Sequence, residues 1–271
     1  MKQYSIIHIP VLSFFSKTLY RDVCTQWKGT GFAYLLLLLA VCWIPAVVRM
    51  HVGLSGFIDN DAPKIVTQIP KVSIVNGKAS IEEPQPYYIR VPETDKALVV
   101  IDTTGKITSL ADTDALGLVT KTEVIFKENQ IETRTFSFKK IKSFTLDQNR
   151  ITAWLATAKK FAAIVFYPQV LLGSFAVRII QLLLYAVIGM LFSSLCKCKR
   201  KYVELLRLSV VAVTPCIIIK TILGIAEISV PVAGLWYFLI TMVYLFFGVK
   251  AASMEENPTS ESTLSHVPRE G

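Results

Sequence analysis

Long apolar runs are the feature that most limits how this chain can fold. Residues 31–48 contain no charge, and eighteen residues are just enough for a helix to cross a hydrocarbon core of about 30 Å. Residues 179–195, 208–226 and 230–249 form three further runs. Because the hydrophobic residues, 52% of the 271, are concentrated in these runs, the pattern is typical of an integral membrane protein. We therefore predict four transmembrane helices.

The positions of the cations predict how these helices are oriented. Lys197, Lys199, Arg200 and Lys201 lie in the short loop between the second and third apolar runs. Short loops rich in Lys and Arg remain in the cytoplasm. The N-terminal segment is also basic, with four Lys and Arg residues against one Asp before the first run. With four spans, both termini and the basic loop are expected in the cytoplasm, and residues 51–160 outside it.

These assignments predict an α+β membrane protein in which a β-rich extracytoplasmic domain is inserted between the first and second of four transmembrane helices. The expected segments are a cytoplasmic amphipathic segment (1–30), transmembrane helix 1 (31–50), the β-rich domain (51–160), an interfacial helix with transmembrane helix 2 (161–195), a basic cytoplasmic loop (196–207), transmembrane helices 3 (208–226) and 4 (230–249), and a disordered cytoplasmic tail (250–271). Pro168 and Gly173 are expected to break the helix within 161–195, and a further membrane segment within 161–178 is an alternative.

The segment before the first run has the periodicity of an amphipathic helix. Its apolar positions recur at steps of three and four residues, and they are Leu12, Phe15, Leu19, Tyr20, Val23 and Trp27. Two interpretations are open. The helix lies in the headgroup plane of the membrane, or it packs in a groove of the protein's own helical bundle.

The polar middle of the chain is typical of β-structure. Apolar and polar residues alternate around Asn76 and Gly77, a pair that strongly favours a β-hairpin. Residues 87–91 and 97–102 are two more expected strands, and a second hairpin is expected to turn near 128–130. Asp147 precedes an expected helix.

The order of these elements resembles a known bacterial family. The stretches that carry the resemblance are LYRDVCTQWKGTGFAYLLLLL, VNGKASI and VVIDTTGKITSL, followed by the basic loop and an apolar hairpin. They resemble domain-of-unknown-function family 1189, which is grouped loosely with the Yip-type multispan proteins. The resemblance covers most of residues 12–250, and it implies a multi-pass protein of the bacterial cytoplasmic (inner) membrane. It implies no catalytic residue.

Motifs for catalysis or metal binding are missing from the sequence. It contains no G-x-S-x-G, H-E-x-x-H or Walker-type loop and no cluster with zinc-ligand spacing. Asp102 in VVIDTTG is the most site-like carboxylate, but an aspartate at a strand end equally caps the following turn, and that interpretation is preferred. The net charge of +9 does not form one basic patch with interleaved aromatics, so we expect no nucleic-acid binding. We expect no enzyme activity, cofactor or metal.

Charged residues at the apolar runs are a second candidate site. Lys220 lies about 21 Å from Leu206 along an ideal helix, in the outer third of the membrane. Glu227 is seven residues further on, and Arg178 is expected at the same level on the second span. We predict that Arg178, Lys220 and Glu227 form a polar cluster that receives an ion or an anionic headgroup. A structural pair with a snorkelling lysine is the alternative.

The sequence thus supports two functional hypotheses. The first is a non-enzymatic inner-membrane protein whose extracytoplasmic module binds an envelope protein, peptide or polymer. The alternative is a small transporter or lipid-handling protein that uses the cluster around Lys220. Membrane lipids are expected partners in both.

Overall fold

The structure, a computed structural model, describes residues 5–92, 94, 96–129 and 132–253. The chain divides into two compact units, which we describe separately: unit 1 comprises Met1–Arg49 and Ile164–Gly271, and unit 2 comprises Met50–Ala163. The predicted tail, apart from residues 250–253, lies outside the described residues.

Eight α-helices occur in the described part of the chain. They are α1 (Ile9–Leu12), α2 (Lys17–Thr25), α3 (Phe32–Asn60), α4 (Ala62–Val66), α5 (Gln148–Leu195), α6 (Tyr202–Ala212), α7 (Thr214–Ile225) and α8 (Ala233–Ser253). Four helical stretches are long and apolar enough to cross a membrane: α3, α5, α6 with α7, and α8. The sequence-predicted set of four long apolar helices is therefore confirmed.

Among the residues of unit 2 that the structure describes, eight strands form two small sheets. They are β1 (Val72–Val75), β2 (Lys78–Ser80), β3 (Tyr87–Arg90), β4 (Ala97–Ile101), β5 (Gly117–Val119), β6 (Glu123–Lys127), β7 (Thr133–Ser137) and β8 (Ser143–Leu146). One sheet has the order β2-β1-β8 and the other β3-β4-β5-β6-β7, and only β4 and β5 pair in parallel. This β domain lies in sequence between α3 and α5, which confirms the α+β class and the insertion point.

Three short 3₁₀ helices complete the described elements. They span Ile6–His8, Leu110–Asp112 and Phe138–Lys140. The last of these connects β7 to β8, and so it links the two sheets.

Helix α5 departs from the prediction, because it runs unbroken through Pro168 and Gly173. A proline removes one helical hydrogen bond, but contacts with a neighbouring helix compensate for the loss in long apolar helices. Here the hydroxyl of Tyr167 donates to the carbonyl of Ala40 at 2.8 Å, and Trp43 Nε1 donates to Ser174 Oγ at 2.9 Å. These bonds from α3 hold α5 on both sides of the proline. The predicted interfacial helix and the predicted span are therefore parts of one continuous helix.

The amphipathic segment packs against the protein's own helices, which decides between the two interpretations left open by the sequence. Leu19, Tyr20 and Val23 of α2 are fully buried, in the same core as residues of α6 and α8. The Tyr20 hydroxyl donates to the carbonyl of Ser13 at 2.8 Å. Its ring lies against Gly248 of α8, where a Cβ atom would come within 2.5 Å of the ring. Glycine at this position lets the two helices approach closely.

Unit 2 is held together by small apolar cores between its sheets. Val72 of β1 packs with Ile89 and Ile101 of the larger sheet. Ile74 and Ala79 pack with Phe138, which follows β7. Both expected hairpins are confirmed, since β1 pairs with β2 across the Asn76–Gly77 turn and β6 pairs with β7.

Candidate functional site

Asp102 is a buried turn residue. Its Oδ1 accepts hydrogen bonds from the Thr104 backbone N–H at 2.9 Å and the Thr104 hydroxyl at 2.5 Å, and its Oδ2 accepts from the Ile107 N–H at 2.6 Å. Burial by itself raises the pKa of the carboxyl, but the Thr104 hydroxyl and the backbone N–H groups of Ile107, Thr104 and Lys106 outweigh it and hold the pKa below its ordinary value. A carboxylate occupied in this way organises the loop after β4, as the turn interpretation predicts.

The predicted cluster of Arg178, Lys220 and Glu227 is not formed by direct contacts. Arg178 Nη1 donates to Gln181 Oε1 at 2.5 Å, and Gln181 in turn donates to the Tyr185 hydroxyl. Lys220 is exposed on α7 and has no hydrogen bond or ion pair with any residue that the structure describes.

Glu227 instead pairs with Arg49, whose Nη1 lies 3.4 Å from Glu227 Oε1. The same guanidinium donates to the carbonyls of Gly224 and Ile225, each at 2.8 Å. Helix α7 ends at Ile225, and Glu227 has a left-handed φ of 58°. The seven-residue spacing from Lys220 therefore does not place Glu227 on one continuous helical face, and the ion pair of Glu227 is with Arg49.

The arginines at the opposite end of unit 1 also bind backbone carbonyls. Arg21 Nε donates to the carbonyl of Ala251 at 2.8 Å, and Arg200 Nη2 donates to that of Ala252 at 2.6 Å. Arg207 Nε donates to the carbonyl of Gly29 at 2.6 Å. We call these three arginines the basic end. Two of them satisfy free carbonyls at the C-terminus of α8, where positive charge is favoured by the helix dipole.

The lysines of the basic loop are more exposed than its arginine. The side chains of Lys197, Lys199 and Lys201 are exposed, whereas Arg200 is half-buried against α8. Lys201 is the N-cap of α6, and its backbone N–H donates to Glu204 Oε2 at 3.3 Å.

Strand β7 is an open edge of the larger sheet. All five of its residues are exposed, and it pairs with β6 in a continuous register from Glu123↔Ser137 to Lys127↔Thr133. The N–H of Glu128 donates to the carbonyl of Glu132 at 2.9 Å. This bond shows which residue pairs along β6 and β7 are hydrogen-bonded to each other. Because antiparallel residues alternate between facing the partner and facing away, the backbone groups of Thr133, Thr135 and Ser137 point away from β6.

Two exposed aromatic side chains lie beside this edge. Phe126 of β6 and Phe136 of β7 are 42% and 56% exposed, and their rings meet edge to face with centroids 6.4 Å apart. The Phe126 ring also covers Gly117 of β5, where a Cβ would lie 3.3 Å from it. Open backbone groups and an aromatic pair therefore occur together at one edge of unit 2.

Five exposed lysines surround the end of this edge. They are Lys78, Lys121, Lys139, Lys140 and Lys142, which we call the lysine corner. Backbone contacts bring them together: Ala79 N–H donates to the Lys121 carbonyl at 2.7 Å, and Asn76 N–H donates to the Lys142 carbonyl at 2.8 Å. Gly77 lies against the backbone of Lys139. Segments 76–80, 120–122 and 137–143, which form the corner, contain no Asp or Glu.

Among the described residues, no group of three or more His, Cys, Asp or Glu side chains is arranged to hold a metal ion. All five cysteines are free thiols. The candidate surface is formed by the β7 edge, the two phenylalanines and the lysine corner.

The chain matches the family described as Protein of unknown function (DUF1189) over residues 11–249. It belongs to this family. Searches of curated proteins and of solved structures each found no match. The family match spans α2, all eight strands and most of α8, so it covers residues of both units.

Sequence reasoning missed three of the residue groups that matter here. Arg49 directly follows the first apolar run, and its partners become visible only when the end of α7 is placed. The lysine corner is assembled from three separate segments, of which only KKIK at 139–142 is a local signal. The edge position of β7 depends on sheet order, which periodicity does not reveal.

Proposed function

We propose that this protein is a multi-pass protein of the bacterial inner membrane, with both termini in the cytoplasm and unit 2 outside it. The charge distribution predicts this topology, and two sets of contacts support it. The basic end joins the N-terminal segment, the basic loop and the end of α8, so these three parts belong on one side. Arg49, at the end of the first apolar run, contacts the turn between α7 and α8, so these two belong on the other side.

Cysteine accessibility in intact cells tests this topology. Single cysteines at Asn76, at Lys199 and in the tail are placed in a chain without its native cysteines and treated with a membrane-impermeant reagent. Labelling is expected at position 76 alone until the cells are permeabilised. Labelling at 199 with none at 76 would invert the topology.

We further propose that unit 2 binds an extended segment of an envelope protein, which adds to the sheet as a strand beside β7. The single observation that carries this is the open β7 edge, whose outward N–H and C=O groups offer a full set of backbone hydrogen bonds. Phe126 and Phe136 add apolar contact area of the kind enriched in the centres of interfaces. The edge is not closed by proline or a bulge, the usual devices against strand addition.

Photo-crosslinking in living cells tests this binding. A photoreactive amino acid at Phe136 is expected to give a discrete adduct with an envelope protein, whereas the same group at Tyr88, on the opposite edge strand β3, gives none. Thr135→Pro is the blocking variant. The Thr135 N–H faces away from β6. Proline at this position therefore leaves the β6–β7 hydrogen bonds intact and removes the N–H that a bound strand would use.

Thr135→Val is the matched control, because it keeps the N–H and the β-branched shape. The adduct is expected to persist in Thr135→Val and to disappear in Thr135→Pro. An adduct that is equally strong in both variants would refute strand addition.

The alternative of a transporter or lipid-handling protein stays a prediction from the sequence. Its candidate residues Arg178, Lys220 and Glu227 are not joined by any hydrogen bond or ion pair within the described part of the chain.

A further inference from the structure

The two ends of the β7 edge differ in charge: residues 127–134 include charges of both signs, whereas residues 137–142 include only positive ones. Its first end follows the turn with Glu128 and Glu132, and Arg134 within the strand pairs with Glu128. Lys139 and Lys140 of the lysine corner come two and three residues after Ser137, the last residue of β7. Since a strand advances about 3.3 Å per residue, a segment bound along β7 reaches the lysine corner within about two residues of the edge.

The lysines of the corner form no ion pair with a described residue, in contrast to three other cations of unit 2. Lys64 pairs with Asp61 at 3.4 Å, Lys159 pairs with Asp59 at 2.6 Å, and Arg134 pairs with Glu128. The five corner lysines form no ion pair with a described residue. Their nearest carboxylate in sequence is Glu123, which begins β6.

Bringing five like charges together without an ion pair to a described residue costs free energy through their mutual repulsion. An anionic partner relieves that repulsion and gains attraction, so the corner favours ligands of negative charge. Because the corner adjoins the open edge, one continuous ligand satisfies both sites. A peptide does this better than a lipid headgroup or a phosphate polymer, since only a peptide supplies backbone groups for β7.

We infer that the segment recognised by unit 2 is acidic at one end: its strand pairs with β7, and its Asp or Glu side chains lie on the lysine corner. This inference rests on the proposed strand addition and names the chemistry of its partner. The charge on the corner gives the bound strand its register and excludes basic segments.

Selection from a phage-displayed library of random linear twelve-residue peptides tests the inference. The bait is the full chain in detergent micelles, and selected peptides are synthesised and their Kd measured by fluorescence anisotropy. Three variants are compared with the native chain. They are Thr135→Pro, a corner variant with all five corner lysines changed to Gln, and a control variant with Lys64, Lys71, Lys96, Lys106 and Lys160 changed to Gln.

The control variant lowers the charge of the same unit by the same amount, away from the edge. Selected peptides are expected to be at least about twofold enriched in Asp and Glu over the input library. Their Kd is expected to rise at least about tenfold in both Thr135→Pro and the corner variant, and to change little in the control. Salt is expected to weaken binding to the native chain more than to the corner variant.

The other outcomes would overturn either this inference alone or strand addition as well. Peptides that depend on Thr135 but show no acidic enrichment, or no loss in the corner variant, would overturn this inference and leave strand addition standing. Acidic peptides that ignore Thr135→Pro, and that polyphosphate displaces, would make the corner a general polyanion site and overturn the joint site. If no selected peptide responds to Thr135→Pro, strand addition fails as well.

Discussion

The basic end of unit 1 and the lysine corner of unit 2 are both clusters of positive charge, but their charges have different partners. At the basic end, Arg21, Arg200 and Arg207 donate to backbone carbonyls of other segments. At the corner, five lysines extend into solvent without an ion pair to a described residue.

The difference shows that a cluster of cations in a sequence has no single meaning. Arginine has several hydrogen-bond donors in a planar fork, which suits it to bind carbonyls at a helix end. At the basic end, the fold itself occupies these donors. Lysine has a solvated ammonium group on a flexible stem, and this charge stays available to a ligand. Substitutions at the basic end should therefore change stability, and substitutions at the corner should change binding.

The largest effect is expected at Gly248, where α2 and α8 meet beside the basic end. Gly248→Ala places a methyl group 2.5 Å from the Tyr20 ring. Overpacking of this severity is expected to cost about 3 kcal/mol of the free energy of unfolding. The measurement is the midpoint of unfolding by a denaturing detergent. Gly234→Ala, in the same helix with no atom near its Cβ position, is the control and should leave the midpoint unchanged.

A smaller loss is expected when Arg200 is neutralised. Arg200→Gln removes a charged donor from the Ala252 carbonyl, at a cost of about 2 kcal/mol. Lys199→Gln, which removes a neighbouring exposed charge, should cost almost nothing in the same assay. Equal losses in the two variants would mean that the basic loop contributes through its net charge and not through the bond at the end of α8.

Asp102 in unit 2 is a negative charge that, like the arginines of the basic end, is held by hydrogen bonds within the fold. Asp102→Asn weakens the acceptor of three hydrogen bonds and is expected to cost about 1 kcal/mol at neutral pH. Because the folded-state pKa of the carboxyl is below its ordinary value of 3.8, its stabilisation is complete above that value and is lost as pH falls below it. The stability difference between Asp and Asn should therefore shrink below about pH 4. A difference that grows on acidification would contradict this assignment.

The smallest effect is expected from the corner variant. Changing its five exposed lysines to Gln should alter the free energy of unfolding by less than about 0.5 kcal/mol. Relief of repulsion would make the change slightly stabilising. A loss comparable with that of Arg200→Gln would show that the corner lysines are structural, and the contrast between the two clusters would disappear.

Local patterns predicted the elements whose signals lie within a few residues. The hairpin at Asn76–Gly77, the second hairpin at β6 and β7, and the start of α5 after Asp147 are confirmed, and Asp147 Oδ1 accepts from the Arg150 N–H at 2.8 Å. Asp102 was rightly interpreted as a turn residue, because Thr, Thr and Gly follow it. Strands β5 and β8, of three and four residues, went unpredicted.

The contacts of other residues depend on a distant segment, and they differ from what the local pattern indicates. Pro168 does not break α5, because Tyr167 and Ser174 are bonded to α3. Glu227 does not join Lys220, because the chain leaves the helix before reaching it and Arg49 is close by.

The sequence by itself determined the four long apolar helices, the β domain between the first two and the family to which the chain belongs. The helices and the β domain follow from apolar runs and turn residues, which act over short distances along the chain, and the family follows from the match over residues 11–249. Only the tertiary structure decided that α2 packs on its own bundle, that β7 is an open edge and that five lysines from three segments meet beside it. Sheet order and packing bring distant residues together, and no local pattern encodes which ones will meet.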